Sequence, residues 1–324
     1  MPGRRTEFAI LGAGAIGSVL GAHLARAGHA VLMLARHERA RQVGRDGLRI
    51  TGLAAFTQPV PVLAPGAEFM GADVLIVATK TYGMSAALEG IRTARIGTAF
   101  SIQNGLMKNE QLARVFGADC VLGALANTSA ELQPSGKVLF TRNEQLCIGE
   151  PAGGLSARAQ DIARLIDASG VRTSAVDHIQ SLEWSKFAAW AGLMVVSVMT
   201  RSVTGRALSD PDLALVLVRL VREVGRLAEA CGVALSDQSM LPAATLCRGP
   251  EAAAAALVQS LGAQLQERAP AHRMSTLQDL EAGRPLEIEE TLGFAVQRAR
   301  QLNVSLPFLE NCYVFIRGMD RMRR

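Results

Sequence analysis

The chain has 324 residues, 49% of them hydrophobic, 19% charged and 4% aromatic. At about 150 residues per domain this length predicts two domains, and the apolar share excludes wholesale disorder. The net charge of +5 rests on dispersed arginines with few aromatics between them, which excludes the one-sided basic face of a nucleic-acid binder.

In chain order, Arg4-Arg5 ahead of an apolar run to Leu24 resembles an export signal. Glu7 interrupts the approach and glycines punctuate the run, so it reads as the first strand and helix of a cytoplasmic enzyme. After Ala30 no run of about eighteen uncharged apolar residues occurs, so no membrane span is expected. Strands are predicted at Phe8–Leu11, Ala30–Leu34, Val74–Ala78, Thr98–Ile102 and Val121–Ala124, with helices at Ile16–Ala27, Ser85–Arg92 and Asn109–Phe116. Continuous apolar strands separated by helices point to a buried parallel sheet. Lys137–Thr141 and Gln145–Ile148 are spaced like a hairpin; a helix at Ser156–Ser169 and a strand near Arg172–Val176 follow.

Beyond about residue 178 the alternation stops. Ser181–Met199, Pro211–Ala230, Glu251–Gln266, Glu287–Leu302 and Pro307–Met322 read as helices, with Asp210-Pro211 a strong start signal and Gly232 a stop. The expected fold class is an α/β Rossmann-type doubly wound sheet over residues 1–178, then an all-α helical domain over residues 179–324. The basic tail Arg317–Arg324 reads as a solvated helix end. The cysteines Cys120, Cys147, Cys231, Cys247 and Cys312 are scattered and form no C-x-x-C pair, so neither a disulfide framework nor a metal site is indicated.

Gly12-Ala13-Gly14-Ala15-Ile16-Gly17 follows the first strand and opens the first helix, the context a dinucleotide fingerprint requires. Gly12 permits the tight turn, Gly14 admits the pyrophosphate, and Gly17 allows close helix packing. The helix start at Ala15 and Ile16 offers N–H groups and a positive dipole to phosphate. At the close of the second strand, where NAD enzymes carry an acid, stands Arg36, suited to a 2′-phosphate; NADPH is the expected cofactor. Arg39 and Arg41 either assist it or face solvent.

Two polar segments follow strand ends: Thr79-Lys80-Thr81-Tyr82 and Gln103-Asn104-Gly105. Only Lys80, Lys108, Lys137 and Lys186 are lysines. Lys186 lies on an otherwise apolar helix, either snorkelling to water or held in a cleft as a general acid.

These residues resemble the ketopantoate reductase family within the 6-phosphogluconate-dehydrogenase-like superfamily. The resemblance runs almost end to end. The glycine fingerprint, Thr79–Tyr82, Gln103–Gly105, Glu183-Trp184-x-Lys186, Ser202–Arg206 and Met274–Ile288 carry it. It implies NADPH-dependent reduction of a 2-oxo acid to a 2-hydroxy acid, ketopantoate to pantoate in the family's pantothenate pathway. It also implies that Lys186 gives the proton, Glu287 organises that lysine and the substrate, and Asn104 contacts both cofactor and substrate. Lys80 matches a second active-site lysine that meets cofactor and substrate, and Ser275 a serine holding the substrate carboxylate.

One departure stands out. That family carries asparagines four and eight positions after the helix lysine, where this chain has Trp190 and Met194. Apolar area in place of amides predicts a bulkier or more apolar 2-oxo acid; Ser197 or Thr200 holding a substrate hydroxyl is the alternative. A non-catalytic NADP sensor is a rival reading, against which stands the joint presence of Lys186 and Glu287. No nucleic acid, membrane or metal is expected as a partner, and the apolar helices after residue 178 serve either the monomer's core or a homodimer.

Overall fold

The computed structural model describes residues 7–64 and 67–323; Arg4-Arg5 and Arg324 lie outside the described residues. The chain forms two compact units, Met1–Gln103 with Lys108–Ile179, and Asn104–Met107 with Gln180–Arg324.

In the first unit the strands are β1 (Phe8–Leu11), β2 (Val31–Leu34), β3 (Leu48–Gly52), β4 (Phe56–Gln58), β5 (Val62–Leu63), β6 (Gly71–Val77), β7 (Arg95–Ser101), β8 (Gly123–Leu132), β9 (Val138–Gly149) and β10 (Thr173–Ala175). They form two sheets rather than one. The first has the order β5-β2-β1-β6-β7, and every pairing in it is parallel. All four β1 residues are buried, as expected of a strand covered on both faces. The helix Ala15–Arg26 makes the crossover from β1 to β2.

The second sheet runs β10-β9-β3-β4, with β8 on the other side of β9. Strand β9 corrects the expected hairpin of Lys137–Thr141 with Gln145–Ile148. It is one strand of 12 residues, antiparallel to β8 and joined to it by a turn in which Gln133 N–H donates to the Lys137 carbonyl at 2.9 Å. Its polar centre, Thr141–Gln145, imitates a loop in sequence; the sheet absorbs it through two irregularities in the pairing. Opposite β8, β9 pairs with β3 over Val138–Phe140 and with β10 over Leu146–Ile148.

His23 marks where the first helix meets this sheet. It is buried, its Nδ1 lies 3.0 Å from the Ser169 carbonyl, and its ring stands edge-on to Phe56 and Phe140. Burial pushes its pKa below the ordinary 6.5, with Arg26 adding to the effect. The unfolded chain therefore takes up a proton near pH 6.5 that the folded chain resists. This contribution to stability is complete above that pH and shrinks as pH falls through it. Tm is expected to drop between about pH 7 and pH 5, and His23→Gln to flatten that slope; an unchanged slope in a thermal scan removes His23 from this role.

The second unit is helical: Ile179–Thr200, Thr204–Ser209, Pro211–Ala230, Ala243–Leu246, Glu251–Arg268, Ser275–Glu281, Phe294–Gln301 and Pro307–Met322. The helix Ile179–Thr200 is buried at every residue from Phe187 to Val198, as its all-round apolar sequence requires. Asp210 caps the helix Pro211–Ala230, accepting from Asp212 N–H and Leu213 N–H. Buried Glu223 accepts from the Phe308 and Leu309 N–H groups, at 3.2 and 2.7 Å, and so caps the last helix from another.

The predicted helix Glu287–Leu302 is corrected. Glu287 precedes a π-helical turn, Glu289–Gly293, and regular helix occupies only Phe294–Gln301. The Thr291 hydroxyl donates to the carbonyls of Glu287 and Ile288, competing with the helical ladder. Among the described residues no helix is long and apolar enough to cross a membrane.

Candidate active site

In the first unit the glycine turn closes against the end of β6. Gly12 has φ +111, and a Cβ there would stand 2.8 Å from the backbone of Ala78 and Thr79. A Cβ on Gly17 would meet the Gly12 carbonyl at 2.1 Å, so the helix approaches the turn as closely as backbone allows. At Gly14 such a Cβ would meet only the Ala78 carbonyl, in ordinary contact at 3.8 Å, so the turn is uncrowded there. No side chain caps the helix that starts at Ala15 and Ile16, and no acidic residue stands in its first turn. A cradle walled by backbone, uncrowded at Gly14 and free of negative charge fits a pyrophosphate.

Arg36 closes β2 and precedes the helix His37–Asp46. Its guanidinium lies 3.6 Å from where a Cβ on Gly83 would stand, over the turn Thr81–Gly83. The neighbouring arginines are engaged elsewhere. Arg41 pairs with Glu38 at 2.7 Å, both well exposed. Arg39 turns inward: its Nε donates to the Ala13 carbonyl at 2.8 Å, Nη2 to Ser18 Oγ at 2.9 Å, and Nη1 to Gln42 and the Gly136 carbonyl. It braces the glycine turn, a role invisible in sequence because the acceptors that tie it there, Ala13, Ser18 and Gly136, are brought to it only by the fold.

Lys80 begins the turn after β6 and is half-buried. That turn is tied to the end of β7 by Gln103, whose Nε2 donates to the Thr79 carbonyl at 2.8 Å and its hydroxyl at 3.0 Å. Buried Lys108 donates from Nζ to the carbonyls of Gln103 and Ala124. The scarcity of lysines flagged Lys108 but gave no role; the structure makes it a tie between the end of β7 and the start of β8.

In the second unit Lys186 is half-buried on the helix Ile179–Thr200, with buried Glu183 nearly one turn before it. Trp190 and Met194, 6% and 0% exposed, continue its stripe at intervals of four. Glu183 is an acid that sequence reasoning passed over. Thr200 turns its hydroxyl back to the Val196 carbonyl at 2.8 Å and is exposed, whereas Ser197 is buried. Glu287 is buried, 6% exposed. The Asn104-Gly105 turn packs on the segment that follows it: with φ +87, Gly105 would place a Cβ 3.0 Å from Thr291 Cγ2 and 3.3 Å from the Glu290 carbonyl. Tyr313 secures that segment from the last helix, donating to Glu289 at 2.6 Å, and Arg317 Nη1 donates in turn to the Tyr313 oxygen at 3.0 Å.

Ser275 is exposed at the start of the helix Ser275–Glu281 and does not cap it. Asp279 is buried and accepts from Arg284 Nε at 2.7 Å, holding the Gly283-Arg284 corner. Among the described residues no group of three acidic, histidine or cysteine side chains is arranged to hold a metal.

The model of the ketopantoate reductase PanE/ApbA family matches residues 8–153, and that of its C-terminal part matches residues 178–320. A 2-dehydropantoate 2-reductase of Archaeoglobus fulgidus is 27% identical over 311 residues, covering 96% of this chain and 97% of the relative. Among solved structures, a PanE/ApbA family ketopantoate reductase from Ralstonia eutropha superposes with a TM-score of 0.81 at 24% identity, over 98% of this chain and 99% of the other. D-mandelate dehydrogenase bound to NADH and anilino(oxo)acetate shares the fold, with a TM-score of 0.84 at 17% identity over 98% of this chain and 99% of the other. The chain therefore belongs to the ketopantoate reductase PanE/ApbA family and is an oxidoreductase.

Proposed function

We propose that this chain reduces a 2-oxo acid to the 2-hydroxy acid with NADPH, and that ketopantoate, yielding pantoate, is the first candidate substrate. The observation that carries the reading is Lys186, a half-buried ammonium on a largely apolar helix whose other charged residue is buried Glu183, in a chain whose other unit holds the glycine cradle. Residues 1–178 bind the cofactor through Gly12, Gly14, Ala15, Ile16, Gly17 and Arg36, and residues 179–324 supply the main groups that work on the substrate, joined by Asn104 and Lys80. When bound there, NADPH would supply the hydride for C2.

Lys186 stabilises the charge that develops on the C2 oxygen and gives it a proton, completing the alcohol. Glu287 keeps that lysine charged and oriented. Asn104, held on the Thr291 segment through Gly105, contacts cofactor and substrate near the reacting carbon. Lys80 meets cofactor and substrate, and Ser275 helps hold the substrate carboxylate.

A second reading, favoured by the burial of Trp190 and Met194, moves the substrate to a bulkier or more apolar 2-oxo acid. The test is NADPH oxidation, followed through the loss of the reduced nicotinamide's absorbance, with ketopantoate and a panel of 2-oxo acids. Fast ketopantoate turnover establishes the first reading, and another acid reduced well with ketopantoate slow establishes the second. NADPH binding without reduction of any acid makes the chain a sensor and overturns both.

A further inference from the structure

Tyr313 makes a contact that the reductase reading does not use. It is buried on the last helix, and its hydroxyl donates at 2.6 Å to Glu289, the first residue of the π-turn. Arg317, four residues further along, holds the same ring: its Nη1 donates to the Tyr313 oxygen at 3.0 Å, and its guanidinium lies 4.9 Å from the ring centroid. Burial and the Glu289 carboxylate push the Tyr313 hydroxyl above its ordinary 10, with Arg317 opposing, so it keeps its proton and remains a donor at neutral pH.

The turn leaves room for this ring. Gly293 has ordinary helical angles, φ −60 and ψ −43, so its backbone does not call for glycine. A Cβ there would stand 3.1 Å from Tyr313 Cε2 and 3.2 Å from the Glu289 oxygen that accepts the bond. A side chain at Gly293 would press on donor and acceptor together. The turn in its turn holds Glu287. The Gly293 N–H donates to the Ile288 carbonyl at 2.9 Å, the five-residue step of a π-helix, and the Thr291 hydroxyl donates to the Glu287 carbonyl. Each residue added to or lost from a helix swings the side chains beyond it by about 100°. The register of the turn therefore decides where the Glu287 carboxylate points.

Resting on the reductase reading above, we propose that Tyr313 is a positioning residue for the reduction: its bond to Glu289 holds the π-turn in the register that aims Glu287 at Lys186. Tyr313 then acts on the rate only through Glu287. Without the bond the turn is free to relax towards the regular helix that its sequence otherwise favours, and the carboxylate leaves the lysine.

The experiment measures kcat and KM with NADPH and ketopantoate, or the best 2-oxo acid of the panel, in the full chain. Tyr313→Phe keeps the ring and removes only the donor. It should lower kcat by about tenfold, the effect of one lost bond to a charged group, and leave KM for NADPH unchanged, because the glycine cradle belongs to the other unit. Glu289 is exposed, so Glu289→Ala leaves the core intact and should lose the same factor. Glu289→Gln keeps an oxygen that accepts from Tyr313 and should recover most of the rate. In a Glu287→Gln background Tyr313→Phe should cost nothing further, the mark of two residues that act as one unit.

Parent-like kcat in Tyr313→Phe overturns the proposal, as does Glu289→Gln no faster than Glu289→Ala. An undiminished tenfold loss in the Glu287→Gln background also overturns it, since the tyrosine then steadies the helices without acting through Glu287. In each of these cases the reductase reading stands. If no 2-oxo acid consumes NADPH in the parent enzyme, the reading fails and the positioning role with it.

Discussion

Lys186→Ala lowers turnover by about 10²–10⁴-fold, the range expected when a positioned proton donor is removed. Hydride arriving at a carbonyl leaves an alkoxide, and an ammonium in a half-buried, largely apolar setting meets that charge with less screening than water allows. Its neighbour Phe187 is 2% exposed and Trp190 6%, so water is poorly placed to substitute for the lost group. Because the glycine cradle belongs to the other unit, NADPH binding by fluorescence should survive the substitution. Lys186→Arg keeps the charge but holds its proton too tightly to give it up, so it should recover little of the rate. A loss smaller than about tenfold in Lys186→Ala removes the lysine from the proton-donor role.

Arg36→Glu shifts the ratio of kcat/KM for NADPH over NADH by about 10²-fold towards NADH, from the loss of a bidentate charge-assisted contact together with repulsion of the 2′-phosphate. The structure isolates Arg36 for this test. Arg41 is paired with Glu38, and Arg39 is committed to Ala13, Ser18, Gln42 and Gly136. The carboxylate introduced at the end of β2 also stands where the ribose hydroxyls of NADH are bound in related sheets. Arg36→Leu should fall between the two, losing attraction without adding repulsion. An unaltered ratio in Arg36→Glu removes the phosphate contact.

The parallel sheet was legible in the sequence where strands are continuous apolar runs, as at Phe8–Leu11 and Val74–Val77, and where glycines punctuate them. The second sheet was not. β3 buries only Leu48 and Ile50 on one face, β4 has 3 residues, and β9 hides its continuity behind a polar centre; in the first sheet the two-residue edge strand β5 escapes for the same reason. Such strands are defined by their partners rather than by their own pattern. At the site, fingerprint glycines, Arg36 and Lys186 stood out because each breaks the pattern around it, whereas Glu287 was named only through the family resemblance. The π-turn after Glu287 did not stand out, since Thr291, whose hydroxyl meets the Glu287 and Ile288 carbonyls there, reads in sequence as an ordinary helical residue. Nor did the roles of Arg39 and Lys108, which lie in acceptors that no local spacing encodes.

Arg39 has a consequence for redesign of coenzyme preference. By joining the Ala13 carbonyl, Ser18 and Gly136 to the helix His37–Asp46, it makes the glycine turn and the segment carrying Arg36 a single preorganised body. On the function proposed above, little conformational entropy is then left to lose when a dinucleotide docks, because the turn is already held. Grafting the whole stretch 36–42 from an NADH-dependent enzyme would then replace Arg36 and cut the brace together, and is expected to weaken both coenzymes at once, whereas a change confined to Arg36 leaves the scaffold rigid.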